Sequence, residues 1–469
     1  MTGNGKGSAS GRYDLVVIGS GPAGQKAAIA AAKLGRRAAI VDRREMIGGC
    51  CVHTGTIPSK TLREAILYLS GVRQRTFYGK AYTVKEDITV QDLAFRVQTV
   101  MAREIEVVHA QLKRNQVTVL TGSARFVDPH TLSAESEEGA VRVQADHVLI
   151  ACGTRPARVD SIPFDGVRVL DSDQLLELRE QQGRHVIVAG AGVVGVEYAS
   201  MLTALGVEVT LVDQRPTLLD FVDREIVEAL SYHMRRTNVT LRLGEKVTSV
   251  EVDARGRVVA RLESGKRLIG DSLLYTVGRQ GNADLLDLAA AGLEADARGR
   301  IAVNERFQSA VPHIYAAGDV IGFPALASTS MEQGRLASCN IFGVPCATVP
   351  ALYPHGIYTI PEVSMVGRTE EQLTAAKVPY EFGLAKFDEL AKGQMVGDDT
   401  GMLKLLFCPD TRRLLGVHII GEGAAELVHI GQAVLATDGT VEYFRDAVFN
   451  YPTLAEAYKV AALDGLNKL

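Results

Sequence analysis

Two glycine triplets carry the most legible chemistry in this chain. Gly19-Ser20-Gly21-Pro22-Ala23-Gly24 and Gly190-Ala191-Gly192-Val193-Val194-Gly195 both read G-x-G-x-x-G. Each is followed, at the same spacing from its third glycine, by an acid: Asp42 in one copy and Asp213 in the other. The set suits a dinucleotide. The first glycine permits a tight turn, the second lets backbone approach a pyrophosphate, and the third lets a helix and a strand pack closely. The acid can accept hydrogen bonds from ribose hydroxyls. Arg215, just beyond Asp213, is placed to meet a 2′-phosphate, so the second copy offers one group suited to NAD(H) and one suited to NADP(H).

These residues work only if the surrounding chain positions them. Tyr13–Ile18 and His185–Ala189 read as buried strands leading into the glycines. Helices are expected to follow, running to about Leu34 and about Leu205. Second strands, Ala38–Val41 and Val209–Val212, end at the two acids. Such a unit points the helix N-terminus, with its N–H groups and dipole, at the phosphates. Two units imply two dinucleotides, as in a flavin exchanging electrons with a nicotinamide.

Between the units lies Gly48-Gly49-Cys50-Cys51-Val52-His53-Thr54-Gly55-Thr56-Ile57-Pro58-Ser59-Lys60. It resembles the redox-active segment of the pyridine nucleotide–disulfide oxidoreductases, such as lipoamide dehydrogenase and glutathione reductase. Ala151-Cys152-Gly153-Thr154-Arg155-Pro156, Ile314-Tyr315-Ala316-Ala317-Gly318-Asp319 and Tyr358-Thr359-Ile360-Pro361-Glu362 match the same family. The resemblance runs from about Tyr13 to the C-terminus.

Two departures from the family pattern bear on function. Cys51 stands at the first active-site cysteine, but Thr56 occupies the place of the second, and a hydroxyl cannot join a disulfide. Tyr451-Pro452-Thr453-Leu454-Ala455-Glu456 resembles the family's HPT-x-x-E, with Tyr451 in place of the histidine base and Glu456 kept. Tyrosine, titrating near ~10, is a poor proton shuttle at neutral pH. GTIPSK together with FNYPT-x-x-EAY resembles the soluble pyridine nucleotide transhydrogenase branch of the family. That resemblance implies NADPH + NAD⁺ ⇌ NADP⁺ + NADH, of the Si-specific class, by a ping-pong mechanism through bound FAD, with Cys51 an idle thiol near the flavin.

By resemblance, Gly19, Gly21, Gly24, Asp42, Gly153 and Asp319 bind FAD. Lys60, paired with Glu197, stabilises the anionic reduced flavin. Gly190, Gly192, Gly195, Asp213, Arg215 and Gly278 bind the nicotinamide nucleotide. Tyr451 and Glu456 serve the flavin site of the other subunit of a homodimer or higher homo-oligomer, across a cis Tyr451–Pro452 bond. Two other readings stay open: an NAD(P)H oxidoreductase delivering electrons to a quinone or another small acceptor, and a nucleotide-binding protein without turnover. Joint Asp213/Arg215 argues against the first, and retained Lys60 and Glu197 against the second.

The fold class expected is α/β: two Rossmann-like domains plus a C-terminal α+β dimerisation domain. The expected boundaries are 1–156 and 285–349 for the FAD domain, 157–284 for the nicotinamide domain and 350–469 for the interface. At 469 residues the chain exceeds one core, and 46% hydrophobic with 23% charged residues is an ordinary globular balance. A net charge of -4 gives no general attraction for nucleic acid or an anionic membrane. Met1–Arg12 is Gly- and Ser-rich and reads as a flexible tail without the apolar core of a signal peptide. The most apolar stretch, Val186–Val196, is short and interrupted by glycines, so it cannot span a bilayer. These features place the protein in the cytoplasm. Glu106/His109 and Glu426/His429 have the helical spacing of di-iron ligands but lack the bundle, so no metal is expected.

Overall fold

In the computed structural model, residues 11–79, 81–175, 183–346 and 352–469 are described. The start of the tail (residues 1–10) and the expected 349/350 boundary lie outside them. The chain divides into two compact units: 1–61, 95–157 and 278–350 form the first, and 62–94, 158–277 and 351–469 the second.

The first unit is organised by a seven-stranded sheet. Arg12–Ile18 is fully hydrophobic over Leu15–Ile18, the signature of a strand covered on both faces. It pairs in parallel with Ala38–Asp42 on one side and Gly139–Ile150 on the other. Ile314–Ala316, a distant segment, adds a further parallel pairing to Gly139–Ile150. Ser123–Asp128 and Thr131–Ser136 extend the sheet as an antiparallel meander. Helix Pro22–Lys33 covers one face. It packs against helix Ala327–Ile341 through small residues: a Cβ on Gly334 would lie 2.0 Å from the Ala23 carbonyl oxygen.

The second unit holds a five-stranded parallel sheet in the order Val239–Leu243, Glu208–Asp213, His185–Ala189, Ser272–Tyr275, Val169–Asp171. A three-stranded antiparallel sheet over Val247–Gly270 accompanies it. The C-terminal part is a five-stranded antiparallel sheet backed by helices Ala424–Ala436 and Glu456–Leu466. Tyr451–Pro452 is cis, as expected, and so are Phe323–Pro324 and Ile360–Pro361.

Two features of the partition follow from packing that local patterns do not encode. Leu62–Ala94 belongs to the second unit, because Ala65, Ile66 and Leu93 enter the core built by Val186–Leu230, Ile357 and Ile420. The chain returns to the first unit at Gly278, since Arg279–Gly281 pairs antiparallel with Thr154–Pro156.

Within the second unit, a buried cation joins the helix Arg224–Arg236 to the C-terminal sheet. Lys404, 1% exposed, lies 3.0 Å from both Asp223 and Glu225 and also pairs with Glu370. Burial works against the charge, but the surrounding carboxylates win and hold the Lys404 ammonium above its usual range. Asp223 also caps that helix, accepting from the Glu225 N–H at 3.2 Å.

Candidate functional site

The two glycine turns are built alike. In the first, Gly19 has φ +100° and donates its N–H to the Val41 carbonyl at 2.9 Å. In the second, Gly190 has φ +109° and donates to Val212 at 2.8 Å. The next N–H binds the acid: Ser20 to Asp42 and Ala191 to Asp213, both at 2.6 Å. The acids therefore brace the turns before any ligand is considered.

What a side chain would meet at each glycine separates fold from ligand. A Cβ at Gly19 would lie 2.4 Å from the Ala151 oxygen, and one at Gly24 only 1.9 Å from the Gly19 oxygen. Gly190 and Gly195 are as crowded, at 2.7 Å from Thr276 Oγ1 and 1.8 Å from the Gly190 oxygen. The middle glycines differ. A Cβ on Gly21 would find its nearest atom, Gly49 Cα, at 4.0 Å, and one on Gly192 would find Arg215 Nη2 at 3.7 Å. The protein itself does not demand glycine at these two positions; an approaching group does. Gly21 and Gly192 are also the N-caps of helices Pro22–Lys33 and Val193–Ala204, with no side-chain cap on either. The first-turn N–H groups thus face the same two cradles, which fits a pyrophosphate in each. Gly153 and Gly278, beyond the ends of the neighbouring strands, have φ +64° and +83°; a Cβ would meet nothing within 4 Å at Gly153 and only Ala157 Cβ, at 3.9 Å, at Gly278.

The acids sit in contrasting surroundings. Asp42 accepts from the Ser20 hydroxyl at 2.6 Å and the Arg43 N–H at 2.8 Å. Burial outweighs these bonds and pushes its carboxyl above the usual range. Asp213, also buried, accepts from the Arg215 N–H at 2.8 Å and from that side chain through Nε at 3.1 Å and Nη2 at 2.9 Å. Burial opposes ionisation here too, but the Arg215 and Ala191 hydrogen bonds hold the Asp213 carboxyl below the usual range. Asp213 and Arg215 are thus one ion pair, where the sequence suggested two independent groups.

The segment after Asp42 holds a thiol and a hydroxyl where the family it resembles has two thiols. Gly49–His53 is a short helix, and a second helix runs Thr56–Ser70. It takes Pro58 within its first turn, where a proline forfeits no hydrogen bond. The Cys51 thiol hydrogen-bonds Thr56, and burial raises its pKa, keeping it protonated at neutral pH. No disulfide joins the described cysteines. Arg279 donates to Thr154 Oγ1 at 2.7 Å and lies 3.5 Å from Cys50 Sγ. Asp319 opens the turn Asp319–Ile321 and lies 3.4 Å from both Thr154 Oγ1 and Ser330 Oγ.

Lys60 lies on helix Thr56–Ser70 in the first unit. Glu197, 4% exposed on helix Val193–Ala204 in the second, accepts from the Tyr358 N–H at 2.8 Å. The segment Tyr358–Glu362 is a brace for that helix, with the Ile360 N–H on Ser200 Oγ at 3.1 Å. Buried Arg63 locks the segment in turn, donating to the Thr359 carbonyl at 3.0 Å and pairing with Glu362 at 3.1 Å. Arg63 and Ser200 had no local motif to announce them; the flanking IPSK and TIPE segments were the available signal. Tyr451 is 72% exposed, and Glu456 begins the last helix. Glu106/His109 and Glu426/His429 lie on exposed faces of their own helices.

Comparison with known proteins matches this architecture throughout. The family model described as pyridine nucleotide-disulphide oxidoreductase matches residues 13–334, and its dimerisation domain matches 353–462. A protein of Mycobacterium tuberculosis named soluble pyridine nucleotide transhydrogenase is 57% identical, over 97% of this chain and 98% of its own. One of the same name from Colwellia psychrerythraea is 45% identical, over 97% and 98%. Among solved structures, LpdA of M. tuberculosis superposes with TM-score 0.88 at 27% identity, covering 96% of this chain and 99% of that one. The HOCl-induced flavoprotein disulfide reductase RclA of Escherichia coli superposes with TM-score 0.86 at 25% identity, over 96% and 99%.

Proposed function

The chain belongs to the pyridine nucleotide-disulphide oxidoreductase family, and from that premise we propose how its residues divide the work of an FAD-dependent pyridine nucleotide transhydrogenase. The reaction is NADPH + NAD⁺ ⇌ NADP⁺ + NADH, Si-specific and ping-pong. The observation that carries this reading is Thr56 hydrogen-bonded to the Cys51 thiol where the family's dithiol would stand. With no disulfide to reduce, electrons arriving from one nicotinamide can leave on another.

Bound FAD supplies a group that accepts a hydride from one nicotinamide and returns it to the next. Gly19, Gly21 and Gly24 let its pyrophosphate approach the helix N-terminus, Asp42 receives its ribose hydroxyls, and Gly153 and Asp319 complete the cradle. Lys60 provides positive charge at the reacting edge, where preorganised charge is worth most. Cys51, protonated and hydrogen-bonded, contributes packing alone.

The second unit receives each nicotinamide nucleotide in turn through Gly190, Gly192 and Gly195, and the same nucleotide is assigned to Gly278 by resemblance. Asp213 and Arg215 act as a pair: the carboxylate meets ribose hydroxyls, and the guanidinium meets the 2′-phosphate when one is present. The match to a dimerisation domain supports a homodimer, in which Tyr451 and Glu456 reach the flavin site of the partner subunit. Nucleotide exchange of this kind belongs in the cytoplasm, and no described helix is long and apolar enough to cross a membrane. The domains are proposed as 1–156 with 285–349 for FAD, 157–284 for the nicotinamide nucleotide and 350–469 for the interface.

The test is direct. Purified holoprotein is mixed with NADPH and thio-NAD⁺, whose reduced form absorbs separately, and thio-NADH is followed. Steady formation with parallel-line kinetics is expected. Reduction of a quinone at a far higher rate, with no thio-NADH, would replace the reading with its alternative.

A further inference from the structure

Arg215 is held by two carboxylates of unequal standing. Asp213 takes Nε and Nη2, and its side chain is 7% exposed. Asp220 takes Nη1 at 3.2 Å, and its side chain is 55% exposed. The Arg215 side chain between them is 34% exposed, and its Nη2 lies beside the open Gly192 cradle.

Asp220 is brought there by a strained backbone. Leu219 has φ 43°, a left-handed conformation that a residue with a side chain adopts only under strain. Leu218 and Leu219 are both fully buried, and the Leu219 N–H bonds the Ala191 carbonyl of the glycine turn at 3.4 Å. The turn and its buried leucines thus fix where Asp220 emerges.

We propose that Asp220 sets the preference of the second unit between NADP(H) and NAD(H) by competing with the 2′-phosphate for Arg215. The inference rests on the reading of Arg215 given above. A phosphate brings a charge of about −1.5 to −2 at neutral pH. It meets a site where one cation already serves two carboxylates. The exposed Asp220–Arg215 contact is screened by water and easily exchanged, whereas the buried Asp213 contact is not. A 2′-phosphate therefore displaces Asp220 from Nη1, and Asp213 keeps its hold. A ribose without the phosphate leaves both contacts in place. Asp220 thereby handicaps NADP(H) selectively and keeps the two nucleotides within reach of the same site.

Titration calorimetry of the holoenzyme with 2′-phospho-ADP-ribose and with ADP-ribose tests this, since neither ligand carries a nicotinamide and no hydride moves. In Asp220→Asn the ratio of the two dissociation constants should shift toward the phosphorylated ligand by about two- to fivefold. The shift should shrink as ionic strength rises. A shift the other way would mean that Asp220 positions Arg215 for the phosphate, and an unchanged ratio would mean that it takes no part; either overturns the proposal. Arg215→Ala, run alongside, separates the two levels. If it weakens both ligands alike, the reading of Arg215 falls. If it weakens only the phosphorylated ligand while Asp220→Asn does not tighten it, the competition alone falls.

Discussion

The two nucleotide units share a backbone and part company at the acid. In both, a left-handed glycine turns the chain, its N–H meets the neighbouring strand, and the following N–H is taken by the carboxylate. In the first unit Ser20 adds a hydroxyl, which bonds Asp42 and accepts from the Gly48 N–H at 2.9 Å. Asp42 is thereby wired inward, to the loop that carries the cysteines. In the second unit the equivalent residue is Ala191, which has no hydroxyl, and Arg215 takes its place from the solvent side. Asp213 is wired outward, to a half-exposed charge. One arrangement suits a dinucleotide that stays, the other a site that must accept two ligands differing by a phosphate.

The largest effects should come from the glycines that the backbone itself requires. Gly24→Ala and Gly195→Ala each drive a Cβ to within 2 Å of a carbonyl oxygen, at 1.9 Å and 1.8 Å, so strand and helix must separate. Gly24→Ala is expected to yield unstable, colourless protein, and Gly195→Ala a yellow protein that NADPH no longer reduces. The middle glycines sharpen the comparison. Gly21→Ala should keep its unfolding temperature without FAD yet bind FAD poorly, and Gly192→Ala should do the same for the nicotinamide nucleotide. If Gly21→Ala and Gly24→Ala destabilise the apoprotein equally, the separation of fold from ligand is wrong.

Lys404 marks a second asymmetry, because it braces only the second unit. Removing one partner from a buried ion pair typically costs about 3–5 kcal/mol. Lys404→Met should lower the unfolding free energy, read from chemical denaturation, by that order while purified protein remains yellow. A change below ~1 kcal/mol would show that Asp223 and its neighbours are neutralised by protons instead of by the lysine.

These cases also show which features the sequence makes legible. The strand, turn, helix and acid of each unit are contiguous, so spacing alone locates them to within a residue or two. The Leu62–Ala94 segment was unreadable, because its destination is decided by Ala65, Ile66 and Leu93 meeting a core made from distant strands. Lys404 sits in the apolar strand Met402–Phe407 and reads as an interruption until the three carboxylates are brought to it in space. Arg215 was legible as a charge beside Asp213, but its pairing geometry and its second partner, Asp220, depend on a buried left-handed turn at Leu219. Local chemistry is written locally; the contacts that tune it are not.

A middle-sized effect tests the outward wiring of Asp213. Arg215→Ala removes a charge-assisted hydrogen bond to the phosphate, about 1.5–3 kcal/mol or roughly 10- to 150-fold in affinity. Stopped-flow reduction should therefore show NADPH weakened by that factor. Because Arg215 also neutralises Asp213, the loss of NADH affinity should be smaller but measurable. Asp213→Ala should weaken NADH, and it should disturb NADPH as well, since the turn loses the acceptor of the Ala191 N–H. Equal slowing of both nucleotides in both variants would remove this pair as the discriminator.

The smallest expected effect falls on the Cys51 thiol of the first unit. If Cys51 were a remnant that still turned over, its thiolate would have to form near neutral pH and find an oxidisable partner. Neither condition is met: burial raises its pKa above the ordinary thiol value, its hydrogen-bond partner is the Thr56 hydroxyl, and the adjacent Cys50 could close only a strained ring. The sign is unambiguous, since a raised thiol pKa leaves the protonated form dominant at neutral pH and delays the thiolate to alkaline solution. Cys51→Ser replaces one small hydrogen-bonding group with another and should leave NADPH-to-thio-NAD⁺ transfer within about twofold, a stability change of ~0.5 kcal/mol being typical of such a swap. Restoring only the second position, Thr56→Cys, should bring the sulfurs close enough to oxidise, because a hydrogen bond already links the two side chains. That variant separates the two halves of the argument. A disulfide that forms but is not reduced by NADPH would show that Tyr451, in place of a histidine, fails as the proton donor to the leaving thiolate. Efficient reduction of lipoamide by the unaltered protein would instead show that the thiol site was misread from the start.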